Sequence, residues 1–370
     1  MSENQSEHRT VGDALRDCLG RRGWTQADLA QVIGKTTAAV NEIIQGKRSV
    51  SPEMAALFSA AFNTSAGYWL VLDAGTRVTE EELEEARRRA RLYHIAPVRE
   101  MVRRGWIKPA ADLAGVEAEL KAFFRVVSLE HDPILSVATR RQAAEESPLS
   151  SQQRAWCFRA RNLAADLLAP PFDDRRVDEC EEKLKGLLAH APEAAQISRL
   201  LATFGVRFVV IEPLSESKID GAALWLDDKK PVIALSLRRD RIDSLWFTLF
   251  HEWSHIRHKD GLSIDSRLTG EDAIPTESKP SFEQRADSES AASLIPPDSI
   301  DSFIRRIAPF YSKERIIQFA HRNKVHPGIV VGQLQHRRKI RWSANREMLA
   351  KIRQRVISTS VVDGWGNTIG

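Results

Sequence analysis

Apolar residues recur at helical spacing near the N-terminus. Val11, Leu15 and Leu19 stand four apart, and Gly20 and Gly23 close the helix they predict. Thr25 caps a second helix, Gln26 to Ile33, which Gly34 ends. Thr36 or Thr37 caps a third through Val40, Ile43 and Ile44, which Gly46 ends. Two short helices joined by a glycine turn predict a helix-turn-helix within a bundle over 11–70. Thr79 to Tyr93 sets Glu80, Glu81, Glu82, Glu84 and Glu85 before Arg87, Arg88, Arg89 and Arg91, the pattern of a solvated connecting helix. Residues 95–200 read as mostly helical, with breaks at Pro109, Pro148 and Pro170-Pro171.

Near residue 206 the period changes. Val206 to Ile211, Gly221 to Leu226 and Val232 to Leu237 read as strands, the last two a hairpin about Asp227-Asp228-Lys229-Lys230. Leu245 to Phe250 is apolar enough for a buried helix. Phe282 to Leu294 predicts another, ending at Pro296-Pro297. The expected class is mainly α with a small β-sheet (α+β). The expected parts are a helix-turn-helix domain over 1–75, a helical connector over 76–200, a site-bearing domain over 201–340 and a basic tail over 341–370.

Composition narrows this little. The chain has 370 residues, 42% apolar and 28% charged, as a globular protein of two or three domains would. No apolar run approaches the roughly 20 residues that span a bilayer. The start, MSENQSEHRT, is too polar for a signal peptide. Cys18, Cys157 and Cys180 are odd in number and far apart, which predicts reduced thiols and a cytoplasmic setting. From Gln335 onward eight Arg and Lys residues face only Glu347 and Asp363. That end reads as a solvated tail, with contact to nucleic acid or an acidic partner as the alternative.

The third helix would present Thr36, Thr37, Ala38, Asn41, Glu42 and Gln45. Asn and Gln can pair with adenine, and Thr and Ala can meet the thymine methyl. Gln26 opens the preceding helix, where a phosphate can sit. Lys35, Lys47 and Arg48 flank the third helix and could neutralise phosphates. Acids slightly outnumber bases over 1–75, so a DNA binder here must gather its charge on one face, and a homodimer is expected. The alternative is a bundle used only for protein contacts. The run from Thr25 to Gly75 resembles the XRE-type helix-turn-helix of HigA-like antitoxins over about residues 11–75. Met54-Ala55-Ala56-Leu57 and Thr64 to Leu70 carry the more specific part. The resemblance implies a dimeric repressor of its own operon that binds operator DNA and a toxin partner.

The most specific chemistry is His251-Glu252-Trp253-Ser254-His255, an H-E-x-x-H pattern. Four residues apart on a helix, the two imidazoles can aim at one point, and Glu252 can reach a water there. A catalytic zinc takes a third protein ligand. Glu283, Asp287, His258 and Asp260 are the candidates. Glu283 and Asp287 lie four apart on the Phe282 helix, so one can ligate while the other orients a histidine. The motif helix, Glu283-Gln284-Arg285-Ala286-Asp287 and Leu294-Ile295-Pro296 together resemble the ImmA/IrrE metallopeptidases over about 200–340, and His326 to Leu334 fits that family's closing segment. The resemblance implies a zincin-like minimal domain with His251, His255 and Glu283 as zinc ligands, Glu252 as general base and Asp287 behind the ligands. His326 would either stabilise an oxyanion or serve as a structural histidine at a turn. Glu289 departs from the family, which usually has an aromatic there, and Ser290 stands where it usually has Ala. The implied activity is a zinc-dependent endopeptidase that cleaves an XRE-type repressor, in trans or itself. The rival expectation is a non-catalytic antitoxin-like repressor whose metal-binding domain senses a signal or binds a toxin. A third is a general peptidase that uses the N-terminal bundle only to dimerise.

Overall fold

The computed structural model describes residues 10–75, 80–133 and 149–364. The expected break at Pro148, the start of the connecting helix at Thr79 and the last residues of the chain lie outside them. The chain is mainly helical with one small mixed sheet, as the sequence predicts. It divides into two compact units, Met1–Arg91 and Leu92–Gly370.

The first unit opens with α1 (Val11–Arg22), α2 (Gln26–Val32), α3 (Thr37–Ile44), α4 (Pro52–Phe62) and α5 (Ala66–Gly75). Each start is built from local chemistry. The Thr25 hydroxyl accepts from the Asp28 amide, and Asp28 accepts from the Thr25 amide, a capping box that satisfies two orphan donors. Thr36, rather than Thr37, caps α3 by accepting from Ala39 N. Gly34 and Gly46 take positive φ where their helices end. Gly12 lets α1 approach the Ile44 carbonyl, where a Cβ would collide. Leu15, Leu29, Val40, Phe58 and Trp69 fill the core, and the Trp69 indole donates to Thr64 Oγ1 at 2.7 Å.

The boundary between units falls within α6 (Glu80–Ile95). Beyond it come α7 (Val98–Arg103), α8 (Leu113–Phe124), α9 (Ser151–Ala165), α10 (Val177–Lys185) and α11 (Ile197–Thr203). The strands are β1 (Arg207–Val210), β2 (Ile219–Trp225) and β3 (Pro231–Leu235), followed by α12 (Ile242–His258) and β4 (Ser263–Ser266). Then follow α13 (Ser281–Leu294), α14 (Pro297–Ile307), α15 (Lys313–Arg322), α16 (Pro327–His336), α17 (Arg353–Ile357) and β5 (Val361–Val362). The sheet order is β4-β2-β3-β1-β5, with β1 parallel to β3 and β5, and β2 antiparallel to β3 and β4.

Alternation sorts the strands onto two faces. Ala222, Leu224, Val232 and Ala234 join a core with α7, α8 and α9, so these three helices support the sheet rather than form a separate connector. Ala223, Ile233 and Leu235 join the other core, with α12 at its centre. Pro109 and Pro170-Pro171 fall in the loops after α7 and α9. The C-terminal stretch differs most from expectation. Ile352 and Val356 are fully buried, Asp240 accepts from the Ile352 and Arg353 amides, and β5 pairs with β1. Two apolar residues among many bases anchor what reads from charge alone as a tail. Each such side chain contributes about 1.5–3 kcal/mol when fully buried.

Candidate metal centre and nucleic-acid interface

α12 is wrapped by β2, β3, α13 and α16, and His251, Glu252 and His255 are fully buried on it. One helical turn brings His255 Nε2 to 3.1 Å from His251 Nε2. α13 crosses this face and sets Glu283 Oε2 3.0 Å from His251 Nε2, with Oε1 3.6 Å from His255 Nε2. Of the candidates for the third ligand, the structure brings Glu283 to the shared point. Asp260 lies behind it, its Oδ2 2.9 Å from His255 Nδ1. Asp287 Oδ1 lies 3.0 Å from His251 Nδ1, within ion-pair range but out of line for a hydrogen bond. Lys279 and the Thr276 hydroxyl hold Asp287, both at 2.7 Å, and Arg285 holds Asp260. His258 turns away to Glu289.

Asp265 joins the cluster and is absent from the sequence expectations. Lys259 and Gly261, both at positive φ, reverse the chain after α12 into β4. Opposed residues of paired strands share a face, and Asp265 stands opposite Gly221, with Ser263 opposite Ala223. Both therefore face α12. Asp265 Oδ1 is 3.4 Å from His251 Nε2, and the Ser263 hydroxyl donates to Glu283 Oε1 at 2.8 Å. Donor atoms of His251, His255, Asp265 and Glu283 all lie within 4.8 Å of one another. The signal was the alternation of Ser263, Ile264, Asp265 and Ser266 so soon after the motif helix, which also suits an exposed edge strand.

The electrostatics suit a cation. In the neutral rings, carboxylates behind both Nδ1 atoms would favour Nδ1–H and turn two Nε2 lone pairs toward each other and a carboxylate. Burial by itself lowers a histidine pKa. Yet Asp265, Asp287 and Glu283 hold His251 well above its usual value, and Asp260 and Glu283 raise His255 to about 10. Burial pushes Glu283 and Asp287 up, and the adjacent histidines overcome it and hold both below the usual carboxylate range. For Asp265 burial prevails and raises it. Clustered carboxylates this dry are costly without compensating charge. Two imidazoles and carboxylates at these spacings fit a divalent metal, and the cluster could hold one.

Glu252 lies against β2 at Gly221. Burial, then Asp265, raises its pKa well above the usual range, and neither carboxylate oxygen has a hydrogen-bond partner. Gly221 makes room for it, since a Cβ there would run into Glu252 Oε1. An apolar pocket next to Phe247 is lined by Leu268, Leu294, Ile329 and Trp342, but by none of the four donors.

His326 does not join the cluster. It caps α16, its Nδ1 accepting from Gly328 N at 3.0 Å and its own amide donating to Leu188 O. His336, at the other end of α16, stacks near Phe247, which packs on His251. The departures at Glu289 and Ser290 are both accommodated. Glu289 accepts from Ser254 Oγ at 2.6 Å and faces His258, and Ser290 donates to Phe247 O.

In the first unit α2, the Gly34 turn and α3 form a helix-turn-helix with a polar outer face. Lys35, Thr36, Thr37, Ala38, Gln45, Lys47 and Arg48 are exposed on or beside α3, and Asn41 and Gln26 are half-buried. The comparisons with known proteins agree with this geometry: residues 15–69 match the family model described as Helix-turn-helix. This module is a DNA-binding helix-turn-helix of the XRE type. No curated protein matches the chain. Within the helix-turn-helix, Gln45 Nε2 donates to Asn41 Oδ1 at 3.1 Å, which aligns two side chains of the types that can pair with adenine. Arg48 leans on Glu42 at 3.5 Å, an exposed pair weak enough for a phosphate to displace. Among the described residues, no helix is long and apolar enough to cross a membrane.

Proposed function

We propose that this chain is a transcriptional regulator, dimeric on its operator, whose larger unit is a zinc-dependent endopeptidase. Its substrate is an XRE-type repressor, in trans or the chain itself, in a cytoplasm, as the odd number and wide spacing of the cysteines suggest. The substrate class and a toxin partner follow from the family resemblances. One observation carries the chemistry: the Nε2 atoms of His251 and His255 converge on Glu283 while the neighbouring Glu252 keeps both oxygens free of protein partners. When bound, zinc supplies Lewis acidity toward water and a peptide carbonyl. Asp287 and Asp260 sit on the Nδ1 sides and keep both Nε2 atoms turned to the shared point. Glu252 is the general base: it takes the proton of the attacking water and passes it to the leaving amine.

A specific observation favours the non-catalytic alternative, an antitoxin-like repressor whose metal unit senses a signal or binds a toxin. His251, Glu252 and His255 have no exposed surface, so a peptide cannot reach them without rearrangement. Zinc content of the wild type beside Glu283→Ala comes first, with one zinc per chain expected and its loss in the variant. Cleavage assays on the chain itself and on XRE-type repressors follow. Fragments made by the wild type but not by Glu252→Gln support the peptidase. Bound zinc and operator binding without fragments support the alternative, and a wild type that takes up no zinc removes both.

A further inference from the structure

The cluster holds one donor more than a catalytic centre uses. Catalytic zinc sites keep three protein ligands and an open position for water, whereas structural sites are closed by a fourth. His251, His255 and Glu283 make three. Asp265 adds a carboxylate with Oδ1 3.4 Å from His251 Nε2 and Oδ2 3.9 Å from His255 Nε2. Ligands about 2.0–2.1 Å from a tetrahedral zinc stand ~3.3 Å apart. Each oxygen of Asp265 thus faces one Nε2 at near that spacing, and one donor atom of Asp265 lies within 4.8 Å of those of the other three, where a group hydrogen-bonded behind a ligand would approach only the far side of a ring. Asp265 is also buried, and the Ser263 hydroxyl, 3.3 Å from its Oδ2, is better placed toward Glu283.

We propose that Asp265 is a fourth protein donor to the metal, so that the folded chain holds a closed site in which β4 occupies the position of the attacking water. This rests on the reading of the cluster as a metal centre and not on peptidase activity. The closure is reversible in principle because β4 is short and outermost, pairing within the sheet only with β2. The segment that follows is latched. Asp220, at the register shift in β2, accepts from Leu268 N at 2.7 Å and takes a two-point contact from Arg238. Arg239 packs over Gly270 and pairs with Asp272. Release of this latch lets β4 carry Asp265 away and exposes a coordination position together with Glu252, whose space is kept by Gly221, the cross-strand partner of Asp265.

The test uses the full chain loaded with Co2+ in place of zinc and titrated with azide, followed by visible absorption. The wild type is expected to bind one cobalt with a spectrum that azide does not move. Asp265→Ala and the near-isosteric Asp265→Asn are expected to keep one cobalt, bind it at least about tenfold more weakly, and gain an azide-dependent shift. Near-ultraviolet circular dichroism checks that both variants keep the wild-type fold. A wild-type spectrum that azide shifts as in Asp265→Ala overturns the proposal, as does unchanged affinity in both variants. Cobalt binding that survives Glu283→Ala, or fails in the wild type, instead overturns the metal reading, and the proposal falls with it.

Discussion

The helix-turn-helix and the metal cluster place polar side chains in opposite ways. Around α3 the polar groups stand in water and pair weakly with near neighbours in sequence, as Gln45 does with Asn41 and Arg48 with Glu42. In the larger unit two histidines and several carboxylates from α12, β4 and α13 meet in a dry interior. The first arrangement is stable alone and ready to exchange its pairs for a phosphate or a base edge. The second balances its carboxylates with charged imidazoles, whose place a metal ion could take. Exposure is what a recognition surface requires. Burial makes a site strong, and also makes it answerable to whatever opens it.

Metal removal should separate the two regions most sharply. A metal present at 1,000 times its Kd stabilises the state that binds it by about 4 kcal/mol. Chelation should therefore lower the unfolding transition of the larger unit by many degrees in calorimetry and leave that of the helix-turn-helix in place. Joint movement of both transitions would erase the contrast. A pH series sharpens it further. His255 in the metal-free cluster stays protonated up to about pH 10, so metal must displace a proton. Metal affinity should then rise from pH 7 to 9 by up to about tenfold per unit for each proton displaced, and a flat profile in competition titrations would show the rings already neutral. The smallest effect belongs to the local region. Thr25→Ala removes half of a capping box and should cost the helix-turn-helix about 1 kcal/mol in urea unfolding without changing metal content.

What was legible in the sequence follows the same divide. The helix-turn-helix is specified by neighbours: Thr25 with Asp28, Thr36 with Ala39, Gly34 at its turn. Its elements and outward residues can be read from a short window. His251, Glu252 and His255 could be read because helical spacing is regular, whereas spacing left Glu283 one of four candidates and only the family resemblance singled it out. Asp265 could not, because its direction is set by register against β2 across a reversal at Lys259 and Gly261. His326 and His336 stand at opposite ends of α16, and only the three-dimensional crossing of α16 over α12 decides which one approaches the site. At the C-terminus the density of Arg and Lys hid Ile352 and Val356, whose anchoring depends on Asp240 far upstream.

Gly221 extends the motif beyond its five residues. Its φ lies outside the left-handed region, so its backbone would accept other residues, and the Glu252 carboxylate, with the Thr248 methyl beside it, forbids them. The glycine is a negative impression of the Glu252 carboxylate, held on a neighbouring strand. In a chain that keeps H-E-x-x-H but places a larger residue at this point of β2, the glutamate would be displaced, and the motif would survive as spelling without function.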